Sequence, residues 1–98
     1  MRSYEVVFVI KPDLEAEATA AVIDKFTQLI AEQGGQVVEV DQWGKKRMAY
    51  EVRKYREGYY VLMKFKGMPA VAQELERVLK ITDEVIRYLI TRLEEKAS

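Results

Sequence analysis

Apolar residues recur with two different periods along the chain, and the switches between them mark out the elements. Over residues 2–10, Tyr4, Val6, Phe8 and Ile10 alternate with Ser3, Glu5, Val7 and Val9. Both sets are largely apolar, which predicts a central strand with one face wholly in the core. Pro12 ends it. Asp13 is placed to cap a helix, and Glu15 and Glu17 put anions at the positive end of its dipole. Val22, Ile23, Phe26, Leu29 and Ile30 then recur at spacings of three and four, predicting an amphipathic helix over residues 14–33 that Gly34-Gly35 stops.

Residues 36–54 return to a strand pattern but are too many for an ordinary strand. Gly44 stands at the middle, where a permissive backbone favours a bulge, so the segment reads as a long, bent strand. Tyr55-Arg56-Glu57-Gly58 predicts a turn that folds residues 59–66 back as an antiparallel partner. Met68-Pro69 opens a second helix with Val71, Leu75, Val78 and Leu79 on one face. Thr82-Asp83 makes the last turn, residues 84–93 form a fourth strand, and residues 94–98 are a polar tail expected to fray. The order β-α-β-β-α-β predicts one α+β domain over residues 1–98, a ferredoxin-like split βαβ. Two helices cover the side of a four-stranded antiparallel sheet that carries Tyr4, Val6, Phe8 and Ile10. The other side is left open, and it is available, with the hairpin, for a partner.

Charge changes this picture more than composition does. The formal net charge is zero. Yet residues 43–67 hold Lys45, Lys46, Arg47, Arg53, Lys54, Arg56, Lys64 and Lys66 against only Glu51 and Glu57, while residues 12–42 hold Lys25 against Asp13, Glu15, Glu17, Asp24, Glu32, Glu39 and Asp41. The molecule is therefore dipolar, with a basic β-hairpin as a plausible polyanion surface and an acidic first helix that would turn away from one. The chemistry open to the chain is narrow. Without Cys or His it has no thiolate, no imidazole base and no nitrogen or sulfur ligands for zinc, and its carboxylate-rich stretches read as helix faces. Asn is absent as well, whereas the acylphosphatase type of enzyme, which resembles this pattern, relies on a paired Arg and Asn. No phosphate-binding glycine motif occurs. The expectation is a protein that is not an enzyme, with no metal, cofactor or small-molecule substrate. No apolar run approaches the ~20 residues of a membrane span, so no membrane partner is expected, and a cytoplasmic location is.

Trp43-Gly44-Lys45-Lys46-Arg47-Met48-Ala49-Tyr50-Glu51-Val52, followed by Gly58-Tyr59-Tyr60, resembles the signature of the protein six family of the bacterial small (30S) ribosomal subunit. There an aromatic or aliphatic residue and a Gly precede a basic pair, an apolar residue, Ala-Tyr, any residue and an aliphatic. Met48 and Val52 stand where Leu and Ile are commoner. Met1 to Glu5, Ile10 to Leu14, Met68-Pro69 and Ile81 to Arg87 match too, so the likeness spans nearly the whole chain. It implies a structural ribosomal protein that binds the central domain of 16S ribosomal RNA jointly with small-subunit ribosomal protein eighteen. On that reading Arg2, Lys45, Lys46, Arg47, Arg53, Lys54, Arg56 and Arg87 are candidates for RNA contact, and Trp43, Gly44, Met48 and Tyr50 for the partner interface.

Plainer readings stand beside these. Lys45-Lys46-Arg47 can act simply as charge that keeps a strand edge soluble, and Trp43 can be a core aromatic. Tyr50, Tyr59 and Tyr60 cannot all lie on one side of a sheet. An RNA-recognition motif has the same element order and stacks single-stranded RNA on sheet aromatics. However, Glu57, Tyr60 and Val61 occupy positions where its third-strand motif has a cation, a small residue and an aromatic. A ferredoxin-like regulatory or oligomerisation domain would dock through the open sheet and has no need of a basic hairpin.

Overall fold

The computed structural model describes residues 1–93, so the expected fraying of residues 94–98 lies outside the described residues. The elements are β1 (Arg2–Ile10), α1 (Ala16–Glu32), β2 (Gln36–Val52), β3 (Tyr55–Gly67), α2 (Pro69–Ile81) and β4 (Val85–Leu93). The strands form one antiparallel sheet in the order β2-β3-β1-β4. Period-two alternation sends Tyr4, Val6, Phe8 and Ile10 of β1, with Val61, Met63 and Phe65 of β3, to the side the helices cover. Val22, Ile23, Phe26 and Ile30 of α1 and Val71, Leu75, Val78 and Leu79 of α2 meet them there, while Leu29 is only half-buried at the margin. Tyr4 stacks on Phe65 at 5.2 Å, and Phe8 meets Phe26 edge-on at the same separation.

Several boundaries differ from the sequence expectation. Asp13 does not cap α1; Glu15 holds the N-cap position in an extended conformation without a side-chain hydrogen bond, and the helix starts two residues later than its apolar period suggests. The larger correction concerns the hairpin. Its turn is not at residues 55–58 but at Arg53-Lys54, both in the left-handed region at φ +51° and +70°, with Val52 paired to Tyr55. Such a two-residue loop matches the twist of the strands it joins, and so it prevails although neither residue is Gly, Asn or Asp. Gly58 lies within β3, buried opposite Lys46. It is a glycine because the chain passes close to Val9, not because the chain turns there: a β-carbon at Gly58 would lie 2.1 Å from Val9 Cγ1.

Gly44 does occupy a bulge. The β2–β3 register slips between Gln42 and Gly44, so that Trp43 is inserted, and Gly44 takes φ +82°. A β-carbon there would meet nothing within 4 Å, so the constraint is conformational and not steric crowding. Gly44→Val is expected to cost roughly 1–3 kcal/mol through forced backbone strain, read as a lower urea midpoint; an unchanged midpoint would refute a strained bulge.

Because Ile10 pairs with Tyr59, the last residue of β1 lies level with the middle of the β2–β3 ladder, and the hairpin from Lys46 to Gly58 projects beyond it. The molecule measures 42 Å along its longest axis, against 26 and 20 Å along the others.

Candidate nucleic-acid interface

The projecting ribbon does not stand free. Its right-handed twist brings Met48 over the side of the sheet that the helices leave open, where it is buried with Val9 and Ile86, flanked by Val52, Tyr55 and Tyr60. Ile86 reaches this side through a register slip of β4 against β1 between Val9 and Ile10; Val85, its neighbour, belongs to the helix-side core. A second, smaller core thus fastens the hairpin to β1 and β4. Sequence reasoning missed it, since it joins residues from three strands through a twist that no local period records.

Beside this core the open side is aromatic and cationic. Trp43, 41 % exposed, stacks with Tyr60 at 6.4 Å and 16°, and its indole N–H donates to Asp41 Oδ2 at 3.1 Å. Lys46 Nζ sits 5.0 Å from the Trp43 ring centroid. Across the hairpin, Tyr50 is 60 % exposed and carries the Arg87 guanidinium 5.1 Å from its ring centroid. Val7, paired to Leu62 on one side and to Leu89 on the other, continues the surface as an apolar row, with Leu89 65 % exposed. Of the partner candidates, Trp43 and Tyr50 therefore face outward, Gly44 sets the bulge that presents Trp43, and Met48 supports them from beneath at 6 % exposure. Tyr59 and Tyr60 fall on opposite sides; Tyr59 packs on the main core and its hydroxyl donates to Gln42 Oε1 at 2.7 Å.

The cation candidates separate into three groups. Lys45, Lys46, Arg47, Lys54, Arg56 and Arg87 are all exposed, on the hairpin or beside it. Among the described residues Lys45, Arg47 and Lys54 make no ion pair, and Arg56 approaches Glu51 only at 3.7 Å with both side chains in solvent, which contributes little. Arg2 pairs with Gly67 at the other end of β1, roughly 26 Å away at about 3.3 Å per residue, and does not join the hairpin cluster. Arg53 is committed elsewhere: its guanidinium donates to the Asp83 carbonyl at 3.1 Å, the Val85 carbonyl at 3.4 Å and Asp83 Oδ1 at 3.0 Å. Lys11 Nζ donates to the other Asp83 oxygen at 3.4 Å. Lys11 foremost, and then Arg53, hold the Asp83 carboxyl below its ordinary value. The acidic residues Glu17, Asp24 and Glu32 of α1, with Glu15 at its N-cap, are exposed in the layer opposite the open side.

Among the described residues no group of three or more acidic side chains is arranged to hold a metal ion. No helix of the described residues is long and apolar enough to cross a membrane.

Both the sequence and the fold are similar to those of known proteins. Residues 3–92 match the family described as ribosomal protein S6. The chain is 85 % identical over 98 residues to small ribosomal subunit protein bS6 of Moorella thermoacetica, covering the whole of both sequences. It is 57 % identical over 96 residues to the protein of the same description from Heliobacterium modesticaldum, covering 98 % of this chain and all of that one. Among solved structures, 30S ribosomal protein S6 from Thermotoga maritima superposes with a TM-score of 0.90 at 31 % identity, over 94 % of this chain and 87 % of that one. With its fold, its hairpin signature and its full-length relatives in agreement, the chain belongs to the ribosomal protein S6 family, structural and non-enzymatic constituents of the small ribosomal subunit.

Proposed function

We propose that the protein, within the cytoplasmic ribosome, binds the central domain of 16S ribosomal RNA together with small-subunit ribosomal protein eighteen. The observation that carries this reading is the projecting hairpin, where exposed cations, largely unpaired among the described residues, adjoin an aromatic, apolar sheet face. Lys45, Lys46, Arg47, Lys54, Arg56 and Arg87 suit phosphate contact, which fixes register and orientation on RNA without reading bases. Arg2, at the far end of the sheet, would meet a separate stretch of backbone. The open side from Trp43 and Tyr50 to Leu89 offers the partner protein exposed aromatic and apolar surface bordered by Arg87, the composition expected of an interface centre. RNA approaches with α1 turned away, since its acidic face repels phosphate.

Single-strand recognition by base stacking is less well supported. Tyr59 and Tyr60 lie on opposite sides, and one face of the Tyr60 ring is already taken by Trp43. The deciding experiment is a titration of a 16S central-domain fragment with and without protein eighteen. The partner is expected to tighten RNA binding by at least about tenfold, within the usual range of coupling between linked sites. Equal affinity in the two arms would overturn joint binding.

A further inference from the structure

We propose that Arg53 is a positioning residue, pinning the tip of the basic hairpin to the turn between α2 and β4 so that the hairpin cations and Arg87 form one surface. This inference rests on the RNA-binding reading above and reassigns Arg53, which sequence alone places among the phosphate contacts. Three observations converge on it. First, the hairpin extends beyond β1, and a two-stranded ribbon is marginally stable unless something outside it holds it. Second, its turn places two residues bearing a β-carbon, Arg53 and Lys54, at positive φ, a conformation that persists where surrounding contacts enforce it. Third, Arg53 supplies such contacts across 30 residues of sequence, using both terminal guanidinium nitrogens on two backbone carbonyls and one carboxylate oxygen.

Asp83 is the common anchor. It accepts from Arg53 on one oxygen and from Lys11 on the other, while the Lys11 amide donates to the Glu84 carbonyl at 2.9 Å. The end of β1, the tip of the hairpin and the start of β4 therefore meet at one side chain. Met48, buried against Val9 and Ile86, is a second anchor nearer the base of the ribbon. Between the two anchors Tyr50 is held against Arg87, which lies on β4 just beyond the carbonyls that Arg53 grips. Once unpinned, the hairpin cations and Arg87 would have to be brought into register at the moment of binding, and that ordering weakens the complex.

Arg53→Ala, Asp83→Asn and the double variant separate this role from direct phosphate contact. Both residues are exposed enough for the variants to fold, and α2 and the helix-side residues of β1 should keep their amide-exchange protection. In the free chain, exchange over residues 46–57 is expected to accelerate at least about tenfold in Arg53→Ala and by a smaller but measurable factor in Asp83→Asn, which leaves Arg53 its two backbone carbonyls, with the double variant no worse than Arg53→Ala. Binding to the central-domain fragment with protein eighteen should weaken about three- to tenfold in Arg53→Ala and by less in Asp83→Asn, leaving the slope of log K against log salt unchanged in both. Arg53→Lys should restore part of the loss. The proposal is overturned if Arg53→Ala flattens the salt slope by about one unit while Asp83→Asn binds as well as or better than the parent, the signature of a phosphate contact. Unchanged hairpin exchange in the single variants overturns it as well. If exchange responds as expected but the parent chain itself does not bind the RNA, the pin stands and the RNA-binding reading falls.

Discussion

Gly58→Ala is expected to lower the stability of the domain by about 2–3 kcal/mol, the largest effect anticipated from any single methyl group in this chain. The added carbon would sit 2.1 Å from Val9 Cγ1, with the Ile10 carbonyl at 3.4 Å and Ile86 Cδ1 at 3.5 Å. Val9 cannot readily give way. It is 2 % exposed, enclosed by Met48 and Ile86, and β-branched, so few rotamers are open to it. Moving the backbone instead would disturb the pairing of Val9 with Tyr60 and of Ile10 with Tyr59, where β1 hands over to the projecting ribbon. Urea unfolding reads the effect as a lower midpoint at an unchanged slope. Adding Val9→Ala should recover part of the loss if the clash is the cause, since contacting sites are not additive. A midpoint equal to that of the parent would mean that the smaller core is loosely packed, and would weaken the view that it fastens the hairpin.

Gly58 also shows where sequence reasoning held and where it failed. A glycine after two charged residues between strand-forming runs reads as a turn, because glycine is the usual means of reversing a chain. Here the glycine makes room for a neighbouring strand, and the reversal falls on Arg53-Lys54, which carry no turn signature. The signals that were legible are those repeated along an element: the alternation of Tyr4, Val6, Phe8 and Ile10, the helical spacing of Val71, Leu75, Val78 and Leu79, and the lone glycine of the Gly44 bulge. What was not legible joins distant elements. The burial of Met48 depends on how far the ribbon twists, and the grip of Arg53 on Asp83 depends on where that twist delivers its tip. Both look like ordinary surface positions in the sequence, one an apolar residue among cations and the other a cation like its neighbours. Trp43, by contrast, was open to a core reading and proves to be exposed.

Replacing Lys45, Lys46 and Arg47 with Ser is expected to weaken binding to the central-domain RNA by about ten- to a thousandfold at moderate salt, and to flatten the slope of log K against log salt by up to about three units. Each phosphate neutralised by a cation releases condensed counterions. The loss of a contact therefore appears twice, as lower affinity and as a shallower salt dependence, and only an electrostatic footing on RNA gives both. The three side chains are exposed and point to alternate sides of the ribbon, with Lys46 over Trp43 and Lys45 level with Tyr59, so one RNA surface need not touch all three. That geometry sets the range of the prediction. The fold should survive, because these side chains make no ion pair among the described residues and the Lys46 contact with the exposed Trp43 ring contributes about 0.5–1 kcal/mol. Gly44, Met48 and Arg53 remain in place, so the hairpin keeps its position against β4, and the partner surface loses only the Lys46 ammonium over the Trp43 ring. Affinity for protein eighteen alone should consequently change little, and the loss should appear in the RNA-containing complex. If the triple variant bound RNA and partner with unchanged affinity and salt slope, these cations would be gatekeepers of a strand edge, and the RNA contact would have to lie with Arg2, Arg87 and the residues around them.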